Sequence, residues 1–322
     1  MFKHLHYKAK QFFFVLIKLS IVTCAFYFIY HKLTSNEKLD FLVFIDFLNK
    51  NNVFSVKNVF FLLILTFFNW LFEVVKWQKL VAMVKPVSFS KAIEQSLAGL
   101  TASLFTPNRI GEYGAKAIYF PASFRKRIMW VTLLGNMSQM AITVLLGTLG
   151  FLVFYSAFKP SIPLYNTTLL LWILGIGLIM TFWFLFNKKI VIKGFTLPKI
   201  SSLLKKISIV NYTHLLGLSF LRYVCFSTQF YLLLLFFKID ISYLDAISVI
   251  TAMYLAASII PIISIFDVVV KGSIAVYLFS FAGAEELSIL CCSTLMWLLN
   301  FVIPSVFGSY FILNFNLNNA AE

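Results

Sequence analysis

Residues 96–116 read SLAGLTASLFTPNRIGEYGAK, an apolar run rich in small residues that breaks at residues 106–109 and then resumes. Proline suits a new helix start, because its missing N–H would have no intrahelical partner there. Basic residues flank the region on both sides, at Lys91 and in the cluster at residues 125–127. Basic flanks are typical of the cytoplasmic side of a membrane. The pattern therefore predicts a broken helical hairpin that enters and leaves the membrane on one side.

A second apolar region, residues 246–281, repeats this arrangement. Small residues again precede the proline that interrupts it. In both regions the proline is followed by an acid five or six residues later and by a lysine four residues beyond the acid. The two series are Pro107, Glu112, Lys116 and Pro261, Asp267, Lys271. A spacing of four places the acid and the lysine on one face of a helix.

The composition indicates an integral membrane protein. Of the 322 residues, 61% are hydrophobic and 12% are charged, whereas a soluble domain carries about 25% charged residues. A spanning helix needs about 20 apolar residues, so the chain suffices for several crossings with short loops, and we expect no soluble catalytic domain. The net charge of +15 would favour nucleic acid in a soluble protein. Here it is typical of the loop bias that orients membrane proteins, and we expect no nucleic-acid partner.

Hydropathy along the chain predicts an all-α polytopic membrane protein with about six spanning helices and two broken or re-entrant helical hairpins. The predicted spans are residues 12–30, 59–75, 130–155, 169–186, 214–237 and 287–313. A span, a broken hairpin and a span occur twice in opposite orientation, so we expect an inverted repeat. Within one membrane domain, the predicted units are an N-terminal span with an interfacial segment at 39–48 (1–57), the first repeat (58–155), a linking span with a basic loop (156–212), the second repeat (213–313) and a short tail (314–322).

Lysine and arginine are unevenly divided between the predicted loops. With the N-terminus in the cytoplasm, sixteen of the 27 basic residues fall on the inner side and six on the outer side. This bias predicts that both termini are cytoplasmic. The assignment holds for re-entrant and for fully spanning hairpins alike, because each contributes an even number of crossings. The content of Phe, Ile, Lys and Asn fits an AT-rich bacterial genome, so we expect a bacterial cell membrane.

The charged side chains at the two interruptions predict a substrate site. Inverted repeats with discontinuous helices place such sites near the midplane, where free backbone N–H groups are tolerated only around a cavity or a ligand. An arginine beside such groups suits a phosphate. The predicted head-group residues are Arg109, Glu112, Lys116, Asp267 and Lys271, with helix breaks at Pro107 and Pro261. The simpler alternative is that each acid only neutralises its lysine, with Ser264 and Asp267 forming a capping box.

Other polar residues inside the predicted spans are weaker candidates. They are Glu73, Arg222 and Gln229. A surface ion pair of Glu73 with Lys76 and a snorkelling Arg222 are equally good interpretations. The four cysteines lie in apolar runs without the spacing of a metal site, so we expect no metal and no cofactor. The 38 Phe and six Trp residues are interpreted as lipid-facing surface and interfacial belts.

Residues 96–112 resemble the most recognisable stretch of the lysylphosphatidylglycerol synthase transmembrane-region family, the flippase-like membrane domains. Residues 254–277 are similar to the family's second, looser motif, and the resemblance covers roughly residues 12–313. It implies lipid handling, with movement of a lipid or a lipid-linked head group between leaflets. Nothing in the chain resembles the soluble aminoacyl-transferring domain of bifunctional members. The resemblance therefore implies a separate synthase or glycosyltransferase as a partner, and no synthase reaction in this chain.

These patterns lead to one favoured function and two alternatives. We expect a flippase-like protein that translocates a phospholipid or lipid-linked head group, with the phosphate toward Arg109 and Lys271 and any cationic part toward Glu112 and Asp267. The first alternative is a membrane enzyme or accessory subunit of lipid-linked glycan assembly, with Glu112 or Asp267 as general base. We recognise no catalytic constellation that would favour an enzyme. The second alternative is a secondary transporter coupled to protons through the two acids.

Overall fold

The structure, a computed structural model, describes residue 46 and residues 55–104, 106, 109–160, 209–260 and 267–315. Several predicted features lie outside these residues. They are the spans at 12–30 and 169–186, the interfacial segment at 39–48 apart from Asp46, the basic loop up to residue 208, the chain end beyond residue 315, Ser264, and the breaks at Pro107 and Pro261. The described part of the chain is helical and contains no strand. The predicted all-α class is confirmed there.

Nine α-helices lie wholly within the described residues. They are α1 (Val56–Ala82), α2 (Phe89–Ser103), α3 (Ile110–Ile118), α4 (Ala122–Phe158), α5 (Ile209–Phe236), α6 (Tyr243–Ile259), α7 (Asp267–Ser280), α8 (Glu286–Trp297) and α9 (Ile303–Asn314). A π-helical turn, Leu298–Val302, joins α8 to α9. Four of the predicted spans coincide with helices of the structure. The spans at 59–75 and 130–155 lie inside α1 and α4, and the span at 287–313 lies inside the α8–α9 segment. The span at 214–237 lies inside α5 except for its last residue.

Four helices in the described part of the chain are long and apolar enough to cross a membrane: α1, α4, α5 and the α8–α9 segment. The 27 residues of α1 extend about 40 Å, more than the ~30 Å of a bilayer's hydrocarbon core. Large apolar side chains on these helices face outward. Phe60, Phe67 and Phe307 are each more than half exposed, as lipid-facing residues of a membrane bundle are. By their length and composition, the four helices indicate a membrane-embedded protein.

Both predicted interruptions separate two shorter helices. Residues 104–109 lie between α2 and α3, and residues 260–266 lie between α6 and α7. Ser88 and Ser242 cap the first arms, each accepting a hydrogen bond from the backbone N–H three residues on, which satisfies one donor of the first turn. The longest of these four helices has 17 residues, about 25 Å. All four arms are thus shorter than the about 20 residues of a usual spanning helix.

The two halves of the structure, residues 56–158 and 209–314, pack on each other reciprocally. The last helix of each half lies on the first hairpin arm of the other, so that α9 contacts α2 and α4 contacts α6, while α1 packs against α5. Gly308 permits the contact of α9 with α2, and Gly150 permits the contact of α4 with α6. A β-carbon at Gly308 would lie 2.2 Å from the Leu97 carbonyl oxygen, and one at Gly150 would overlap the Thr251 side chain. Small residues allow this close approach in membrane helix pairs.

A chain of buried amides joins α1, α5 and the π-helical turn. Asn69 donates a hydrogen bond to the Asn300 side-chain oxygen (2.6 Å), and Asn300 donates to that of Gln229 (2.8 Å). Gln229 in turn donates to the Thr66 hydroxyl (2.8 Å). Such bonds hold helices together in a membrane, because an unpaired polar group would have no water to replace its partner. The chain of amides therefore holds α1, α5 and the π-helical turn together.

Candidate functional site

A cavity of about 270 Å³ lies between the two interrupted regions. Its charged lining comes from both halves: Arg109 precedes α3, Arg222 belongs to α5, and Asp267 and Lys271 belong to α7. Much of the remaining lining is aromatic, with the residues Phe226, Phe230, Tyr254, Trp297 and Phe301. A concave, mostly apolar site with a few convergent polar groups is the usual form of a ligand site.

The charged lining of the cavity is mainly positive. Among the described residues, Arg109, Arg222 and Lys271 contribute three cations and Asp267 contributes one carboxylate, which gives a net charge of +2. The side chains of Arg109 and Lys271 are 27% and 31% exposed, so a ligand in the cavity can reach them. An uncompensated charge is costly in apolar surroundings. The cavity therefore favours an anion.

Lys271 and Asp267 form an ion pair at the start of α7. The distance from Lys271 Nζ to Asp267 Oδ2 is 2.7 Å, which confirms the contact predicted from their spacing of four residues. The ammonium also lies 6.0 Å from the ring centre of Tyr254 and 5.4 Å from that of Phe301, within reach of cation–π attraction. Asp267 occupies the first turn of α7, where the helix dipole stabilises a negative charge. One carboxylate and two rings thus hold Lys271 at the cavity wall.

Glu112 is enclosed between two cations behind Arg109. Its carboxylate lies 3.2 Å from Arg109 Nη2 and 2.7 Å from Lys116 Nζ, and the second contact is the one that the spacing of four residues predicts. Glu112 and Lys116 are 1% and 2% exposed, and neither lines the cavity. Lys116 Nζ lies 4.1 Å from the centre of the Trp77 ring, whose N–H donates to Gln95 (2.8 Å). Glu112 and Lys116 therefore position Arg109 from behind.

Arg109 adopts a left-handed backbone conformation, with φ 59° and ψ 28°, at the start of α3. For a residue with a β-carbon this conformation costs about 1–2 kcal/mol, and such strain persists where the surrounding contacts impose it. The ion pair with Glu112 is one such contact. The hydrogen bond from the Gly111 N–H to the Thr106 hydroxyl (2.8 Å) is another, because it closes the turn. The turn keeps the guanidinium in contact with both Glu112 and the cavity.

A second group of charges lies beside the cavity on α1 and α5. Glu73 Oε2 lies 2.8 Å from Lys76 Nζ and 3.0 Å from Arg222 Nη1. Arg222 Nε also donates to the Asn69 side-chain oxygen (3.0 Å). The predicted pair of Glu73 and Lys76 forms, but it is buried and not at a surface, since Lys76 is 2% exposed. Arg222 does not snorkel to the interface, because its two partners on α1 turn it inward.

Three donors beside the cavity have no hydrogen-bond partner among the described residues: Arg109 Nε, the Ser293 hydroxyl and the Trp297 indole N–H. Ser293 and Trp297 are 7% and 5% exposed and line the cavity from α8. A buried donor without a partner costs about 1–3 kcal/mol, so native proteins usually pair such groups with protein, water or a ligand. These donors point to a ligand rich in acceptor oxygens.

The structure brings together three of the five predicted head-group residues. Arg109, Asp267 and Lys271 line one cavity, whereas Glu112 and Lys116 are enclosed behind it. The sequence interpretation also directs the cationic part of a head group toward the two acids. In the structure both carboxylates are already paired with cations of the chain. Of the weaker candidates, Arg222 lines the cavity, Glu73 holds Arg222, and Gln229 belongs to the amide chain.

The place of Gln229 in the amide chain leads to a test of its role. We expect Gln229→Met to lower the free energy of unfolding by about 1 kcal/mol and to leave ligand binding unchanged. The loss is small because the Asn300 amide keeps its bond to the Met296 carbonyl oxygen and Thr66 keeps its bond to Leu62. Thermal unfolding in detergent checks the stability. A variant of parental stability that fails to bind or transport would instead make Gln229 a site residue.

The sequence interpretation missed the donors on α8. It assigned the tryptophans to lipid-facing or interfacial positions, which is wrong for Trp77 and Trp297, because both are at most 5% exposed. Ser293, Trp297 and Asn300 recur at spacings of four and three residues, which places them on one helix face. This stripe of polar side chains in an apolar segment is the sequence signal that could have predicted the donors of α8.

The groups that the site offers are cations and N–H or O–H donors. In the described ranges no three His, Cys, Asp or Glu side chains come together as a metal site requires. Cys291 and Cys292 are buried free thiols. Comparisons of the chain with protein-family models, with curated proteins and with solved structures find no match.

Proposed function

We propose that the protein binds and translocates the anionic head group of a phospholipid or lipid-linked molecule in the cavity that is lined by Arg109 and by residues of α5, α6, α7 and α8. The observation that carries this proposal is the cavity's net charge of +2 beside unpartnered donors, inside a bundle with an apolar outer surface. Arg109, Arg222 and Lys271 are the residues that bind the phosphate, through charge-assisted hydrogen bonds. The resemblance of residues 96–112 and 254–277 to flippase-like domains supports the same function.

The size of the cavity favours an amphiphile. Its volume of about 270 Å³ lies just below the range of ~300–1,000 Å³ for pockets that enclose whole small molecules. Such a space accommodates a head group and leaves acyl chains outside. The exposed Phe and Leu side chains on the surrounding helices offer those chains an apolar surface, which lowers the cost of leaving them in the bilayer.

The proposal includes alternating access by two inverted repeats within a bundle of about six spans. The reciprocal contacts of α9 with α2 and of α4 with α6 support it, because a two-fold relation between the halves produces paired contacts of this kind. Movement of one half against the other then exposes the head group to either side of the membrane. The loop charges support a bacterial cell membrane with both termini in the cytoplasm. A separate synthase or glycosyltransferase would supply the lipid.

Lipid transfer in reconstituted vesicles tests the function. The substrates are phosphatidylglycerol and phosphatidic acid, each labelled on an acyl chain and placed in one leaflet. We expect the parent protein to speed their transfer and Arg109→Ala or Lys271→Ala to reduce the protein-dependent rate about tenfold or more, because each removes a hydrogen-bonding charge. Lys91→Ala is the matched control. Lys91 is 60% exposed in its pair with Glu94, and such a surface pair contributes little, so its rate should equal that of the parent.

Undiminished transfer by both cavity variants would contradict the proposal, provided that circular dichroism shows them folded. The alternatives have other readouts. Loss of a lipid-linked glycan with lipid distribution unchanged would favour a membrane enzyme or accessory subunit. Solute uptake that collapses with the proton gradient would favour a proton-coupled transporter.

A further inference from the structure

We infer that the head group bound in the cavity is a phosphomonoester carrying two negative charges, and that Ser293 and Trp297 select it over a phosphodiester. This inference rests on the proposed function, because it names the chemical class of the head group at the same site. It follows from the charge of the cavity, from the donors without partners and from the pairing of Asp267.

The charge of the site matches a dianion. The cavity lining has three cations and one carboxylate among the described residues, a net charge of +2. The enclosed charges behind the lining do not alter this balance, because Lys76 and Lys116 are offset by Glu73 and Glu112. A phosphodiester carries one negative charge and therefore leaves the site with one excess positive charge. A phosphomonoester carries up to two, and thereby neutralises the site in an environment where excess charge is costly.

The unpartnered donors match the oxygens of a phosphomonoester. Such a group presents three strong acceptor oxygens, whereas a diester presents two that are not esterified. Arg109 Nε, the Ser293 hydroxyl and the Trp297 N–H have no acceptor among the described residues. Ser293 and Trp297 are four residues apart on α8 and share a face, and both line the cavity. Ser293 and Trp297 thus add two neutral donors to the cations of the cavity. The additional oxygen of a monoester can accept hydrogen bonds from these donors.

Amino head groups are disfavoured by the same geometry. A cationic amine in the cavity needs a carboxylate, and Asp267 is the one carboxylate among the described lining residues. Its Oδ2 already lies 2.7 Å from Lys271 Nζ. An amine would have to compete with a cation of the protein for that carboxylate. The cations of the cavity wall are also paired with carboxylates, but the net charge of the group is +2, so an added anion lowers the excess charge and an added amine raises it.

Binding by the full chain in detergent micelles at pH 8 tests this inference, since the second pKa of a phosphomonoester is about 6. The probes are short-chain phosphatidic acid, short-chain phosphatidylglycerol and glycerol 3-phosphate, with titration calorimetry as the readout. We expect phosphatidic acid to bind about tenfold more tightly than phosphatidylglycerol, a ratio typical of one additional hydrogen bond to a charged group. We expect Trp297→Phe and Ser293→Ala to reduce that preference severalfold. Ser156→Ala, at an exposed serine on α4, should leave it unchanged.

The other possible results separate the monoester assignment from the proposed lipid function. Equal or tighter binding of phosphatidylglycerol overturns the monoester assignment and leaves the proposed lipid function standing. A preference for phosphatidic acid that survives both α8 variants overturns the role of Ser293 and Trp297. If glycerol 3-phosphate binds as tightly as phosphatidic acid, the monoester assignment holds and the lipid assignment fails. Absence of binding by all three probes, together with absence of lipid transfer, overturns both proposals.

Discussion

Replacing Glu112 with glutamine should lower the free energy of unfolding by about 3–5 kcal/mol, the usual cost of breaking a buried ion pair on one side. The carboxylate lies 2.7 Å from Lys116 Nζ and 3.2 Å from Arg109 Nη2. Lys116 is 2% exposed, so the variant leaves a charged ammonium buried without its counter-ion. Equilibrium unfolding in mixed micelles measures the loss. Glu94→Gln is the matched control, because its partner Lys91 is 60% exposed, and we expect a change below about 1 kcal/mol.

A second substitution separates the buried charge from other causes. Lys116→Met combined with Glu112→Gln removes the stranded ammonium and keeps a long apolar side chain over the Trp77 ring. Replacing both members of a buried pair is often close to neutral, so the double variant should recover more than half of the lost stability. Equal instability of the single and double variants would contradict this explanation, as would a Glu112→Gln protein as stable as the parent.

Gly111→Ala should destabilise the first hairpin by about 3 kcal/mol, at the upper end of ordinary overpacking costs. A β-carbon at this position would lie 2.2 Å from the Ala102 carbonyl oxygen and 2.9 Å from its carbon. Both atoms belong to the backbone of α2 near its end. No side-chain rotation can therefore relieve the overlap, and α3 must move. Such movement also displaces Arg109 and Glu112, so we expect lipid transfer to fall with stability. Thermal unfolding and vesicle transfer together check both effects.

Gly114 provides the control within the same helix. A β-carbon there has no neighbouring atom within 4 Å, so Gly114→Ala should leave transfer unchanged and raise stability by up to about 1 kcal/mol through its higher helix propensity. If Gly111→Ala and Gly114→Ala behave alike, close packing between the hairpin arms is not what requires glycine at residue 111.

Local features of the site were predictable from the sequence because they depend on neighbours along one helix. The spacing of four residues places Glu112 against Lys116, and Asp267 against Lys271, once each segment is helical. The interruptions near residues 106–109 and 261 were readable from proline and from the change in composition. The long apolar segments were readable because about 20 residues cross a bilayer.

Contacts between helices were not predictable in this way. Asn69 and Asn300 are separated by 231 positions, and nothing in either local sequence shows that they meet. The local sequence does not distinguish an Arg222 side chain that reaches the interface from one that faces the interior, whereas its contacts with Glu73 and Asn69 do. Trp297 looked like a membrane-fitting aromatic, because a tryptophan facing lipid and one facing a cavity have the same local pattern.

Apolar length and residue spacing were enough to predict a membrane-embedded protein, the positions of the described long helices and the acid–lysine pairs of α3 and α7. Apolar length and the 3.6-residue period act locally, so a single chain displays them directly. Which charged side chains line the cavity depends on how the helices pack. Arg109, Arg222 and Lys271 reach one cavity while Glu112, Lys116 and Lys76 are enclosed behind it. Burial of a charge depends on which helix faces meet, and that is a property of packing between segments far apart in the chain.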